Sequence, residues 1–442
     1  MLYHSLTNRN NLSSFEHTVL SGLSSDGDLY VPQSIPRLNP SFFEQITSYD
    51  IHHIAREVII PYIGNSIPDD RIEEIIKNTI QFDFPIKNIH DNIYALELFH
   101  GPTLAFKDIG AKFMSECLSY FYEKIGKKFT VLVATSGDTG GAVAKGFNNK
   151  SGIEVIILYP HNGISPLQEK QIASLNSSNV FALEIFGNFD DCQKMVKKAF
   201  SDKQIKKKYT LTSANSINTA RLLPQMFYYF SAYKNIKEMY GGKKIIFSVP
   251  SGNFGNICAG MIAERMGLPI HGFVASTNIN DTIPRFMKSG IYHPINVKKT
   301  ISNAMDIANP SNFPRIWNFL YKKNMFSLKK KLSSFRFTDY NTLSMIKKVW
   351  KNHKYMLDPH GAVGYLGATK YLYKDPKTPY LSVFLETAHP VKFLDKIPFS
   401  LRKEVFFPKK IKKFLKSIGE VKKNAIKNNF NEFKNWLLDR SI

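Results

Sequence analysis

Two kinds of hydrophobic pattern divide the chain. Up to about residue 90, apolar positions recur at helical spacing, as in FEHTVLSGL and DDRIEEIIKNTI, and predict a mixed, mostly helical segment. From about residue 91, short β-branched runs alternate with amphipathic stretches. FTVLVAT precedes AVAKGF, EVIILYP precedes SPLQEKQIASL, and VFALEIF precedes DDCQKMVKKAF. YTLTSA, KKIIFSVPS and HGFVAST continue the series, each with a helical stretch beside it. Runs apolar on both faces and joined by helices predict an α/β fold with parallel sheet buried on either side. YLSVFLET at 380–387 is expected to join this core, and the lysine-rich stretch beyond 401 to form a helical C-terminal cap.

Within this pattern one local arrangement occurs twice. The chain reads VLVATSGDTG at 131–140 and IFSVPSGNFG at 246–255, each time a strand, a Ser-Gly-Asp/Asn-x-Gly turn and a helix start. Such a turn brings backbone close to a ligand, and the helix start offers unpaired N–H groups and a positive dipole end. Asp138 makes the first loop negative, whereas Asn253 leaves the second neutral, so a phosphate suits the second. Taken singly, either loop reads equally well as a tight βα connection. Neither has the G-x-G-x-x-G spacing of a dinucleotide site or the Lys-Ser/Thr of a P-loop. Two such loops more than a hundred residues apart suggest two α/β units facing one another across a cleft.

Composition narrows the setting. With 442 residues and 43% hydrophobic content the chain supports a large core and two or more domains. Cys117, Cys192 and Cys258 have no metal or redox spacing, which argues for a reducing compartment. The start MLYHSLTNRN lacks a secretory core, and no apolar run reaches membrane-span length, so a soluble, cytoplasmic protein is expected. The formal charge of +23 invites a nucleic-acid reading. However, the lysines are dispersed, thickening only near 203–208 and 401–442, and travel with many Asn and Ile residues, as AT-rich coding would produce. A solvated basic surface without nucleic acid or membrane partners is the expectation.

The stretch HGPTLAFKDIGAKF sets Lys107 behind Leu104, Ala105 and Phe106. A lysine so placed is either a stem snorkelling along apolar surface or an amine kept desolvated for chemistry. By itself the stretch favours the first.

In order along the chain stand HGPTLAFKD, ATSGDTG, ISPLQEK, NSINTAR, VPSGNFG, NDTIPRF, SNAMD and ETAHPVKF. This series closely resembles the threonine synthases of bacterial and fungal type, pyridoxal-phosphate enzymes of the tryptophan-synthase-β-like fold (fold type II). The resemblance runs from SFEHTVLSGL and DGDLYVPQ to about residue 393. It implies two parallel-sheet α/β domains around a pyridoxal 5'-phosphate cleft. The boundaries expected are 1–90 for the N-terminal segment, 91–112 with 223–400 for the large domain, 113–222 for the small domain and 401–442 for the tail.

The resemblance also assigns roles. It implies Lys107 as the Schiff-base lysine and proton carrier, with its apolar neighbours lowering the amine's pKa. Gly252, Asn253, Phe254, Gly255 and Asn256 match the cup for the cofactor phosphate. Thr387 matches the residue facing the pyridine nitrogen, where a neutral hydroxyl leaves that nitrogen largely unprotonated. Ser136, Gly137, Asp138 and Thr139 resemble the loop meeting the substrate carboxylate, with the Asp138 side chain turned away as a helix cap. Asn215, Ser216 and Arg221 are candidates for the departing phosphate, and Arg285 is a second candidate. Asp108 receives no catalytic role; a helix cap or a surface ion pair is the alternative. The implied reaction turns O-phospho-L-homoserine and water into L-threonine and phosphate.

His100, His360 and His389 are expected to pack or orient loops, since Lys107 already supplies a base. No residue cluster has a metal-ligand spacing, and a monovalent cation is left open. Monomer and homodimer both stay open. The nearest rivals are a serine or threonine dehydratase or a cysteine synthase of the same fold. A basic nucleic-acid-binding protein with a vestigial cofactor site is the rival from another class.

Overall fold

The computed structural model describes residues 1–174, 177–374, 379–417 and 424–440. Thirteen strands are defined there. They are β1 (Tyr3–Ser5), β2 (Tyr30–Pro32), β3 (Ile86–His90), β4 (Ile93–Glu97), β5 (Phe129–Ala134), β6 (Ile153–Pro160) and β7 (Val180–Phe186). β8 (Leu211–Ser213), β9 (Ile245–Pro250), β10 (Ile270–Thr277), β11 (Leu332–Arg336), β12 (Leu381–Glu386) and β13 (Asn424–Lys427) follow. One sheet has the order β11-β10-β9-β12-β4-β3, the other β13-β7-β6-β5-β8. All pairings in both sheets are parallel except β3 with β4. Every residue of β5 and β12 is buried, as expected of strands covered by helices on both faces.

This topology places the site. In the first sheet β12 lies between β9 and β4, so the loop after β9, the end of β12 and the segment leading from β4 to Lys107 share one carboxyl-terminal edge. In the second, β5 lies between β6 and β8 and its carboxyl end carries the loop 135–137 and the start of the next helix. Open α/β sheets bind ligands at such edges.

The expected strand series is present, and the structure adds to it in three places. The N-terminal segment contains an antiparallel β1–β2 pair and ends by contributing β3 to the first sheet, ahead of the expected boundary at 91. Its helix Phe15–Ser21 braces β8 and the loop after it: Val19 O accepts from Thr212 Oγ1 and Asn218 Nδ2, both at 2.9 Å. β11, which no sequence pattern had signalled, closes the far edge of the first sheet beside β10.

The tail departs from the all-helical expectation. Helix Lys409–Ser417 buries Ile411 against the first sheet's side, and Lys410 Nζ donates to His100 O and Gly101 O, each at 2.6 Å. After residues 418–423, which lie outside the described set, β13 adds to the edge of β7 and helix Phe430–Leu438 covers it with fully buried Phe433 and Leu437. A bare parallel edge strand is open to unwanted pairing, and the tail covers it. Among the described residues no helix is long and apolar enough to cross a membrane. Cys117, Cys192 and Cys258 are buried and unpaired.

Candidate active site

Lys107 begins helix Lys107–Ile125, and the residues before it are pinned by backbone rather than by a capping side chain. Phe106 N donates to Thr387 O at 2.9 Å, and Ala105 bridges Ala388. Tyr228 OH donates to Phe106 O. Leu104 takes a left-handed φ of 59°, which turns the chain into the helix. Asp108, buried, accepts from Thr103 N at 2.9 Å and from Thr103 Oγ1, so it ties the 101–108 loop together. Burial pushes the Asp108 carboxyl up against the effect of those two bonds.

Lys107 remains partly open to the cleft. Desolvation nonetheless brings its amine down to about 8; Asp138 opposes this, and Lys392 and Arg221 reinforce it. The amine is thus partly neutral near physiological pH, the form a base or nucleophile needs.

Facing it is the loop after β9. Gly252 to Asn256 all line the cleft, and Phe254 enters the helix Gly255–Arg265 with φ 61° and no side-chain cap, leaving the first N–H groups of that helix to a ligand. The loop is held from behind: Asn253 O accepts from Asn312 N at 3.0 Å, and Asn253 Oδ1 accepts from Ser311 Oγ at 3.0 Å. Asn256 Oδ1 accepts from Tyr229 OH at 2.6 Å, while its buried Nδ2 has no partner among the described residues. Gly252 has no room for a side chain, because a Cβ there would lie 2.8 Å from Ala304 O and 2.9 Å from Met305 Cα. Since both neighbours are backbone, Gly252→Ala is expected to displace the cup. Affinity for pyridoxal phosphate should fall roughly tenfold or more, read from the visible absorbance of the bound cofactor at graded concentrations.

The expected substrate residues divide. Ser136 and Thr139 line the cleft, as do Asn215, Ser216 and Arg221, whereas Gly137 and Asp138 do not. Gly137 adopts φ 125°, and its Cα packs so closely on Gln168 that a Cβ would lie 2.4 Å from that side chain. Thr135, which the sequence did not single out, organises the turn by accepting from Gly137 N at 3.0 Å and Gly140 N at 2.8 Å. The Asp138 side chain lies outside the cleft lining and caps no helix; it accepts from Gln168 Nε2 at 2.8 Å and pairs with Lys392 Nζ at 2.7 Å. A lysine from the other sheet satisfies it better than the N–H groups of its own helix.

Arg221 is almost fully buried. Its Nη1 donates to Ala214 O, and among the described residues its Nε has no partner and it forms no ion pair. Burial lowers the guanidinium to about 10, so it stays charged at neutral pH. The adjoining segment is held by Asn312 Nδ2, which donates to Ser216 Oγ at 3.0 Å, and by buried Arg315, whose Nη2 donates to Ile217 O at 2.6 Å and Tyr30 O at 3.0 Å. Arg285 is elsewhere: outside the cleft lining, its Nε pairs with Asp281 Oδ1 at 2.9 Å. The structure does not bring it to the site, because the i,i+4 spacing on its helix delivers it to Asp281 instead.

Thr387 lines the cleft at the end of β12. His360 also reaches it; its Nε2 accepts from Ala304 N at 3.2 Å, which places the ring proton on Nδ1 facing Asp358 Oδ1 at 2.7 Å. His389 Nδ1 accepts from Val391 N, and burial brings this ring down to about 4. His100 Nε2 pairs with Glu97 at 2.8 Å. All three histidines are thereby engaged in holding loops. Lys392, within ETAHPVKF, stands inside a motif, yet no local pattern set it apart as a partner for Asp138. Among the described residues no group of His, Cys, Asp and Glu is arranged to hold a metal ion.

The donor set fits a phosphate-bearing aldehyde cofactor. An uncapped helix start and the orphan Asn256 Nδ2 suit the phosphate, and a partly neutral lysine amine lies opposite.

Comparison with known proteins agrees. The family described as pyridoxal-phosphate dependent enzyme matches residues 77–380, and that described as threonine synthase N terminus matches residues 2–80. Threonine synthase of Buchnera aphidicola subsp. Schizaphis graminum is 40% identical over 441 residues, covering 100% of both chains. The crystal structure of threonine synthase from Escherichia coli has a TM-score of 0.90 at 35% identity, covering 99% of this chain and 100% of that one. The structure of pyridoxal-phosphate-bound threonine synthase from Brucella melitensis has a TM-score of 0.91 at 32% identity, covering 99% and 98%.

Proposed function

Because this chain belongs to the threonine synthase family, we propose that it converts O-phospho-L-homoserine and water to L-threonine and phosphate, using pyridoxal 5'-phosphate. One observation carries the reading within this chain. A partly neutral lysine, a neutral phosphate cup and a buried arginine with no carboxylate partner among the described residues open into the same cleft. A substrate that brings its own phosphate to a cofactor that carries another needs two anion sites, and two are available.

The N–H groups of Gly252 to Asn256 would hold the cofactor phosphate, Thr387 would face the ring nitrogen, and Lys107 would anchor the aldehyde. When bound, the cofactor supplies an electron sink for charge developing at the substrate's Cα. Lys107 Nζ removes the Cα proton and later returns one, since it is the base already poised at that carbon. Ser136 and Thr139 receive the α-carboxylate through hydroxyl and backbone N–H donors. Loss of a Cβ proton lets the Cγ–O bond break, with Arg221, Asn215 and Ser216 receiving the phosphate; Cγ then gains a proton, and water adds its oxygen to Cβ and gives up a proton. A fork of N–H donors suits this leaving group, and a charge already desolvated costs no further reorganisation. The unit built on β5 to β8 closes toward the other to exclude bulk water until phosphate has left. The setting is cytoplasmic, without a nucleic-acid partner, and both monomer and homodimer meet these requirements.

The test is turnover by the purified, cofactor-loaded chain. Phosphate released from O-phospho-L-homoserine should be matched one for one by threonine. Keto acid formed from serine or threonine, with no phosphate released, would replace this reading by the dehydratase one.

A further inference from the structure

Against the loop that leads into Lys107 lies a buried ion pair that the reaction above does not use. Asp138 belongs to the helix after β5, whereas Lys392 belongs to the turn Pro390–Phe393 after β12, so the pair joins the two sheet units. Lys392 Nζ lies 2.7 Å from Asp138 Oδ1 and donates to Thr103 O at 2.8 Å. The Lys392 side chain is 0% exposed and that of Asp138 3%. Removing two charges from water costs more than their attraction commonly returns, so hydrophobic residues would serve stability as well.

We propose that Asp138 and Lys392 are a positioning pair for Lys107: by binding Lys392, the Asp138 carboxylate leaves Lys107 free to be a neutral amine. This extends the role of Lys107 as base given above.

The surroundings of Lys107 support it. The charged and titratable groups about it are Asp138 and Lys392, Arg221 on helix Thr219–Leu222, His360 across the cleft, Tyr228 at Phe106 O, and Asp108 on its own helix. Desolvation chiefly lowers the Lys107 amine; Asp138 is the anion that opposes it, while Lys392 and Arg221 reinforce it. Burial alone would raise that carboxyl, yet Lys392, then Lys107, and the bonds from Lys392 and Gln168 hold it at about 2. Were Lys392 absent, the same carboxylate would turn wholly to Lys107 and favour its ammonium form. Were Asp138 neutral, Lys392 would be an unopposed cation beside Lys107 and favour the free amine.

The two substitutions must consequently move Lys107 in opposite directions, which a merely structural brace would not do. In full-length, cofactor-loaded protein the visible absorbance follows the protonation of the lysine–cofactor linkage. In the cofactor-free chain, the rate of Lys107 acylation against pH, read by mass spectrometry, follows the amine itself. Lys392→Met should raise both midpoints by about one pH unit or more, and Asp138→Asn should lower them. The double variant should return close to wild type, and Lys392→Arg should stay there.

Shifts in the same direction, or no shift in Asp138→Asn, overturn the proposal. Each single variant leaves one buried charge unpaired, so should either fail to fold, the other and the double variant decide: a surviving single variant that shifts opposite to the stated direction, or a double variant far from wild type, overturns the proposal. Both readouts are independent of turnover, so they decide the proposal even if the substrate proves to be a different one.

Discussion

Lys107→Ala should abolish phosphate release and threonine formation together, lowering kcat roughly ten-thousand-fold, the upper end for a positioned acid–base group. Lys107 combines two functions that alanine cannot supply, anchoring the aldehyde and carrying the Cα proton. Its loss should leave folding intact, because the preceding loop is held by Phe106 N on Thr387 O and by Tyr228, not by the lysine side chain. Thermal unfolding should shift by no more than a few degrees, and pyridoxal phosphate should still occupy the cup with altered absorbance. Turnover within tenfold of wild type would remove Lys107 from the chemistry.

The second large effect belongs to Arg221. Arg221→Met should lower kcat/KM for O-phospho-L-homoserine roughly a hundred- to a thousandfold, the cost of removing one member of a desolvated charge contact. Inhibition by inorganic phosphate should vanish with it. Stability should hold or rise, because the guanidinium is buried with its Nε unpartnered and forms no ion pair among the described residues. That combination separates an anion receptor from a structural brace. If activity and unfolding temperature fell together while phosphate inhibition persisted, Arg221 would be no more than the anchor of Ala214 O.

These two residues also show how much of the site was legible beforehand. Lys107 looked ordinary by itself; only the ordered motifs around it raised it to a base, and the structure then supplied the desolvation. The resemblance offered Arg221 for the departing phosphate and Arg285 as a second candidate, and no local pattern in the sequence settles between them. Their separation follows from where their helices point. Arg221 is carried into the cleft by the braced segment 215–221, and Arg285 meets Asp281 one turn earlier on its own helix.

The sequence by itself determined the alternation of strands and helices, since periodicity is a local property and survives whatever the chain packs against. It also determined the two Ser-Gly loops and the neutrality of the second, because turn geometry and charge reside within a few residues. Only the tertiary structure decided what depends on distant segments meeting. The pairing of β13 with β7 needs residues more than two hundred positions apart, and no local pattern distinguishes such a strand from a helical tail. The pairing of Asp138 with Lys392 is likewise set by two sheets facing one another. An ion pair has no periodicity: its existence is a matter of distance in space, and folding alone assigns that.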